Sequence, residues 1–313
     1  MILMKTAIIF IITVLFVTQV SFNSKEPANK AALGEMLFSD PILSRDRTIS
    51  CASCHKPAFA FADTTAVSLG VKNKRGVRNT PTAMNINAQL TFFWDGRAKS
   101  LEEQALAPIE NPDEMDLSIA EAVQRLNADA GYQQYFRKIF NAPPNSTNLA
   151  IAIAAFERTL ETSNSPFDNW KFSDDSTAIS DAAKRGFLLF NGKGVCVKCH
   201  FGADFTANEF RNIGLFNGKE LNDSGRALIS GNKTETGKFK TPGLRNVAIT
   251  APYMHNGMFK TLREVIDFYN EPGKFVTKAI DRDTILAKPL GLSEEEKNDL
   301  LAFLRSLTDK RFN

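Results

Sequence analysis

The sequence predicts a mainly α-helical protein with two related domains and long loops. Three observations support this fold class: residue pairs typical of helix starts precede apolar helical faces, no segment sustains the two-residue alternation of a strand, and a short motif occurs once in each half of the chain. The chain has 313 residues, 43% of them hydrophobic and 23% charged, which is enough for a buried core.

The N-terminus has the order of an export signal. Lys5 precedes an apolar run of eleven residues, 7–17, and polar residues follow. Such a run is too short to span a bilayer comfortably. We therefore predict a signal peptide over residues 1–22 and a mature protein in the periplasm. Because no A-x-A cleavage triplet is present, an uncleaved membrane anchor stays open as an alternative, as does a buried helix of the fold.

The charge balance argues against nucleic acid as a partner. Lys and Arg total 38 against 35 Asp and Glu, for a formal net charge of +3. Polyanion binding needs a concentrated basic surface, which so weak a bias does not indicate.

Four helices can be placed from local patterns. Three capping-box pairs predict helix starts, and a run of helix formers without Gly or Pro predicts a fourth helix. The pairs are Ser118 with Glu121, Thr261 with Glu264 and Ser293 with Glu296, and the run is 148–160. The stretch 164–180 is rich in Ser, Asp and Asn, so we predict that it links domains at 23–165 and 166–313.

Two five-residue motifs, which we call the haem words, contain all four cysteines and two of the three histidines. They are Cys51-Ala-Ser-Cys54-His55 and Cys196-Val-Lys-Cys199-His200. C-x-x-C-H is the attachment signal of a c-type haem, in which the thiols bond to the haem vinyl groups and the His ligates the iron. Two disulfides, two redox dithiols and a zinc site of converging cysteines are the alternatives. A His directly after both pairs favours two covalent haems c.

The motif G-x-x-L-F precedes each haem word on an apolar helical stretch. It occurs at Gly34–Phe38 and again at Gly186–Phe190. A cytochrome c domain begins in this way, with an N-terminal helix followed by a loop that carries the haem. The repeat therefore supports two such domains, each wrapping one haem.

With these words in place, the chain resembles the bacterial di-haem cytochrome c peroxidase family, which includes the methylamine-utilisation di-haem enzymes. The resemblance covers nearly all of the mature chain. It rests on both haem words and on the stretches F-W-D-G-R at 93–97, L-E-E-Q-A at 101–105, P-D-E-M at 112–115, T-P-G-L-R-N at 241–246 and A-P-Y-M-H-N-G at 251–257. It implies a peroxidatic haem in the first domain, an electron-transfer haem in the second, and a calcium ion between them.

The resemblance implies three catalytic residues. Glu114 matches the acid that moves a proton between the peroxide oxygens, and Gln104 matches the amide that orients the peroxide. Trp94 matches the indole placed between the two haems. Without the resemblance, Glu114 would be interpreted as a solvated loop acid, Gln104 as an exposed helix residue and Trp94 as a core residue.

The resemblance also implies a calcium site and a histidine beside the second haem. Asn79 would bind calcium together with the backbone carbonyls of Thr250 and Pro252, since oxygen donors suit this ion. His255 is the one His outside the haem words, and it matches a structural or electron-path residue near the second haem.

Two departures from the family pattern concern the iron ligands. Many members cap the peroxidatic haem with a His in a loop that is here 68–72, whereas this chain has no His between His55 and His200. Many members also place a Met fourteen residues after the second-domain His, where this chain has Tyr269. The methylamine-utilisation enzymes have Tyr in this role. We predict Tyr269 as sixth ligand, with Met254, Met258 and a plain core Tyr as alternatives.

The predicted function is peroxide reduction. The chain would reduce hydrogen peroxide to water with electrons from a small cytochrome c or cupredoxin, as an exported enzyme and a possible homodimer. One alternative is an enzyme that uses the same haems to modify aromatic residues of a protein substrate. A pure electron carrier is the other alternative.

Overall fold

The computed structural model describes residues 26–312, so the predicted signal peptide at 1–22 lies outside the described residues. This part of the chain is mainly helical, with long connections and one two-stranded sheet. The helices are α1 Lys30–Ser39, α2 Cys51–Cys54, α3 Leu101–Glu110, α4 Ile119–Ala128, α5 Ala130–Phe140, α6 Ser146–Glu157, α7 Pro166–Phe172, α8 Asp181–Asn191, α9 Ala227–Ser230, α10 Leu262–Asn270, α11 Pro272–Phe275 and α12 Glu294–Ser306, and the strands are β1 Phe210–Arg211 and β2 Phe239–Lys240.

The predicted helix starts are confirmed. Thr261 and Ser293 each cap a helix, and the glutamate three residues later bonds back to the cap residue. Ser118 caps α4 by accepting the Glu121 backbone N–H at 3.2 Å. The run 148–160 forms most of α6, which begins two residues earlier.

The first haem word is held by a core in which α1 crosses α6. A Cβ atom at Gly34 would lie 1.9 Å from the carbonyl oxygen of Ala152, so only glycine allows this close approach. Leu37, Phe38 and Ile153 are buried around the crossing. The glycine of the first G-x-x-L-F motif therefore sets the distance between these two helices.

The second haem word is held by an equivalent crossing of α8 with α12. A Cβ atom at Gly186 would lie 2.0 Å from the carbonyl oxygen of Asp299. Phe190 and Phe303 pack in this core with their ring centroids 5.0 Å apart. The repeated glycine thus has the same role in both halves of the chain.

The stretch predicted as a linker is partly helical. Pro166–Phe172 forms α7, whose start is capped by Ser165. Phe167 packs into the second core, and the Asp168 carboxylate accepts hydrogen bonds from Arg245 at 2.9–3.1 Å. Residues 166–172 of the predicted linker are therefore helical and are bound by a residue distant in sequence.

The loops of the two halves interlock. Arg78 donates to both carboxylate oxygens of Asp223, at 2.7 and 2.8 Å, and also pairs with Asp95. Arg226 donates to the backbone carbonyls of Asp95 and Gly96 at 3.0 and 3.1 Å. Because these ions are partly buried and share partners, they bind the two halves together.

Across residues 26–312, none of the helices combines the length and the hydropathy needed to cross a bilayer.

Candidate haem centres

The first haem word forms the short helix α2 and the residue after it. Ser53 Oγ accepts the Ser50 backbone N–H at 2.9 Å, and the His55 N–H donates to the Cys51 carbonyl at 2.8 Å. His55 Nδ1 lies 2.9 Å from the carbonyl oxygen of Phe61. This contact orients the imidazole and leaves Nε2 for an iron.

The second haem word has the same local geometry on a single 3-10 turn. The His200 N–H donates to the Cys196 carbonyl at 2.9 Å, and His200 Nδ1 lies 2.9 Å from the carbonyl of Phe205. Burial lowers the pKa of both haem-word histidines, which favours the neutral imidazole that binds iron.

The structure contradicts the zinc, disulfide and redox-dithiol alternatives. The two words line separate cavities, and nowhere in residues 26–312 do three His, Cys, Asp or Glu side chains converge as a metal site. No disulfide joins any of the four cysteines. Burial raises the pKa of Cys51 and of Cys196 to about 12, whereas redox-active thiols need a lowered pKa.

Each cavity fits a haem bound through its word. Both cavities are lined mainly by apolar side chains. Cys51, Cys54 and His55 line the first cavity, and Cys196, Cys199 and His200 line the second. The thiols and the imidazole of each word therefore face one common space, as a covalent haem requires.

The purified protein should consequently carry two covalent haems. Its mass should exceed that of the mature chain by two haem groups, and acid–acetone should release neither. Cys51→Ala and Cys196→Ala, each paired with loss of its partner cysteine, should each remove one covalently attached haem. A wild-type mass with fewer than two haems would contradict this expectation.

Glu114 and Gln104 both line the first cavity. Asn111 Nδ2 donates to Glu114 Oε1 at 2.7 Å, and burial raises the pKa of the Glu114 carboxyl group. The neighbouring loop reinforces this placement: the Val71 N–H donates to the Glu114 carbonyl at 2.8 Å. A Cβ at Gly70 would lie 2.6 Å from that carbonyl oxygen, so the approach needs glycine. Glu114 is thus half-buried in the wall of the first cavity, with its backbone held by the neighbouring loop.

Trp94 lines both cavities. Its indole Nε1 donates to the Asn79 carbonyl at 2.8 Å, and its own carbonyl accepts the Lys240 N–H at 2.8 Å. Trp94 is thus held from both halves of the chain, its indole by Asn79 and its backbone by Lys240, in the wall that the two cavities share.

Tyr269 lies on α10 and lines the second cavity together with His200. Burial raises the pKa of its phenol strongly, and no hydrogen-bond partner of its hydroxyl is found within residues 26–312. Met254 lines the same cavity. Met258 is 37% exposed and does not line it, which does not favour Met258 as a ligand.

The three residues expected at calcium all line the second cavity. Asn79 Nδ2 donates to the carbonyls of Thr65 and Ala66 at 3.2 and 3.3 Å, which leaves its Oδ1 as the donor atom for an ion. Thr250 and Pro252 can add backbone carbonyls. This all-oxygen set fits calcium.

His255 is buried next to these residues. Its ring stacks on Phe239 with centroids 3.6 Å apart, and its carbonyl accepts the Asn79 N–H at 2.7 Å. Burial lowers its pKa to about 4 despite the nearby Asp223. The neutral ring therefore has a packing role beside the second cavity.

A second internal repeat escaped the sequence analysis. The loops 92–98 and 253–259 have the same hydrogen bond between their ends, at 2.9 and 2.7 Å, and a left-handed glycine at the same position. Each leads into a helix capped by Ser100 or Thr261. Trp94 and His255 hold equivalent positions in these loops. The shared Gly and the following Ser/Thr-Leu-x-Glu pattern were the available signal.

Lys240 was also missed. It lines both cavities, its Nζ bonds to Gln89 and to the Thr91 carbonyl, and burial lowers its pKa to about 8. A lysine before Thr-Pro has no distinctive sequence signal, because its burial depends on residues about 150 positions earlier in the chain.

Comparisons with known proteins agree with this architecture. The family model described as di-haem cytochrome c peroxidase matches residues 28–176. Methylamine utilization protein MauG of Methylorubrum extorquens is 41% identical over 282 residues, 89% of this chain and 78% of that protein. Cytochrome c551 peroxidase of Nitrosomonas europaea is 36% identical over 286 residues, 90% of this chain and 81% of that protein.

A solved structure extends the likeness to the whole fold. The crystal structure of a MauG-like protein associated with microbial copper homeostasis matches with a TM-score of 0.82 and 32% identity, covering 93% of each chain. The predicted fold class, mainly helical with cytochrome c-like domains, is confirmed. By its sequence and its fold, this chain belongs to the di-haem cytochrome c peroxidase family, a family of oxidoreductases with two haem c groups.

Proposed function

We propose that the protein is a periplasmic peroxidase that reduces hydrogen peroxide to water with two electrons from a small cytochrome c or cupredoxin. Residues 23–165 would carry the peroxidatic haem, and residues 166–313 the electron-transfer haem. The observation that carries this proposal is the half-buried Glu114 carboxyl group, which lines the first haem cavity together with Gln104.

Glu114 moves the proton that peroxide cleavage requires. Its carboxylate accepts a proton from one peroxide oxygen and returns it to the other, which leaves as water. Asn111 holds the carboxylate by the 2.7 Å hydrogen bond, while Gln104 orients the peroxide through its side-chain amide. The raised pKa of Glu114 brings the carboxyl group closer to the neutral range in which both transfers are efficient.

His55 and His200 hold the irons, and the two haems, when bound, supply the electrons that reduce the peroxide. Trp94 stands in the wall between the cavities and offers a path for an electron or hole. Asn79, Thr250 and Pro252 would bind calcium beside the second cavity and so fix the loop that carries His255.

The first haem should be open in the fully oxidised enzyme. The chain has no His between His55 and His200, and in the loop 68–72 the Val71 N–H donates to the Glu114 carbonyl. We expect one high-spin haem at rest, carbon monoxide binding to one of the two reduced haems, and peroxide turnover without pre-reduction. These are measured by optical spectra and by steady-state assays with a reduced small cytochrome.

Two low-spin haems at rest, or a lag that only reduction relieves, would contradict an open site. Met115 would then be the first residue to test, because it is buried and lines the same cavity. Carbon monoxide binding to neither haem would instead favour a pure electron carrier.

A second function is oxidative modification of aromatic residues in a protein substrate. The position of Tyr269 in the second cavity favours it, since a phenolate ligand stabilises higher oxidation states of iron. The 41% identity to a methylamine utilization protein agrees with this function. Peroxide consumption with a reduced cytochrome, compared with consumption in the presence of candidate substrate proteins, separates the two.

A further inference from the structure

Glu157 is a buried acid that the proposed mechanism does not use. It is the last residue of α6, its side chain is 5% exposed, and it lines the first haem cavity. Its Oε2 is buried and has no hydrogen-bond partner within residues 26–312. An unpaired buried carboxyl group costs folding free energy, and a position at a helix C-terminus adds to this cost for the charged form.

Packing alone does not require an acid at this position. The two helix crossings align Gly34 with Gly186, because a Cβ at Gly34 would meet the Phe156 side chain and one at Gly186 would meet that of Phe303. The residue after Phe303 is Leu304, which lines the second cavity. The same place in the fold therefore carries a leucine in the second half of the chain.

The charges around Glu157 do not neutralise it. The adjacent Arg158 is paired with Glu102 of α3 through two hydrogen bonds of 2.8 and 3.0 Å, so their fields on Glu157 largely cancel. The Cys51 thiol faces Glu157 from α2, and Glu114 shares the cavity. Desolvation consequently dominates and raises the pKa of Glu157 to about 8, inside the range where a nearby charge decides its protonation.

We propose that Glu157 is a redox-linked proton site for the first haem. When the first haem gains an electron, the Glu157 carboxylate takes up one proton from water. When the haem loses that electron, the carboxylic acid returns the proton. The charge within the apolar cavity then changes less in each step than the electron alone would change it. This inference requires a haem in the first cavity, but it does not require that peroxide be the substrate.

The test is the potential of the first haem as a function of pH, measured without peroxide. In the wild-type holoprotein this potential should fall as pH rises through the region near 8, because the oxidised haem favours the ionised acid. Glu157→Gln and Glu157→Leu should remove this pH dependence. In redox-difference infrared spectra, the C=O band of a protonated carboxyl group should be present in the wild type and absent from both variants.

Glu161→Gln is the matched control. Glu161 follows Glu157 by four residues, but its carboxylate is held by Asn85 and Asn87 and does not line the cavity. This variant should keep both the pH dependence and the infrared band. A wild-type potential that is flat near pH 8, or variants of Glu157 that keep the slope and the band, would overturn the proposal. The leucine variant guards against misfolding, since Leu304 already occupies the equivalent position.

Discussion

Glu114→Gln is expected to leave both haems attached and to slow peroxide turnover by about 10²–10⁴-fold, the usual contribution of a positioned proton-transfer group. The amide keeps the size of the side chain and can still bond to Asn111, but it cannot accept the proton of the bound peroxide. The loss should appear in kcat and in kcat/KM alike, because the proton moves in the transition state. Steady-state assays with a reduced small cytochrome measure both.

The pH profile gives a second readout. Burial raises the pKa of Glu114, so its base form is lost at a higher pH than for an ordinary glutamate. As pH falls through that raised pKa, the carboxylate gains a proton and kcat/KM should decline. This decline, the acidic limb of the pH profile, should be missing from the residual activity of Glu114→Gln.

Glu110→Gln provides the control for Glu114. Glu110 ends α3, is exposed and does not line the first cavity. Its substitution should leave turnover and the acidic limb unchanged. If Glu114→Gln matches the wild type in both, Glu114 has no part in proton transfer and the peroxide is cleaved by other groups.

The parts of the fold that local chemistry decides could be predicted from the sequence. Thr261 with Glu264 and Ser293 with Glu296 make their capping contacts within three residues, so the helix starts were visible without any tertiary information. The haem words are local for the same reason, since both thiols and the imidazole must reach one porphyrin.

Features set by distant residues could not be predicted in this way. The polar stretch after residue 164 suggested a linker, yet Arg245 pairs with Asp168 from 77 positions away and helps to hold α7 against the second core. Glu157 ends an apolar helix, where a glutamate ordinarily marks a solvated end. Its burial follows from the crossing with α1, which no spacing in the sequence reveals.

The position of Tyr269 depends both on a local sequence pattern and on contacts with residues distant in sequence. Thr261 with Glu264 predicted the helix that carries Tyr269, and the structure adds that Tyr269 lines the second haem cavity. Met254 lines that cavity too, so sequence spacing alone does not decide which of the two residues ligates the iron.

Tyr269→Phe should therefore change the visible spectrum of the second haem. If Tyr269 is the sixth ligand, its removal should convert a low-spin haem into a five-coordinate or Met-ligated one, with a changed visible spectrum. Burial raises the pKa of the free phenol, so a phenolate here requires the positive charge of the iron beside it. Met254→Leu and Met258→Leu serve as controls and should change little.

The direction of the potential change decides between the two functions. A phenolate stabilises ferric iron and lowers the potential relative to a His/Met site, so Tyr269→Phe should raise the potential of the second haem. A low potential suits the storage of oxidising equivalents more than the uptake of electrons from an ordinary cytochrome, and it would shift weight toward modification of a protein substrate. If Met254→Leu instead abolishes a near-infrared Met-to-iron band while Tyr269→Phe is silent, the tyrosine assignment is wrong. The second haem would then have the ligands of an ordinary electron acceptor, and peroxide reduction would be the function that its potential supports.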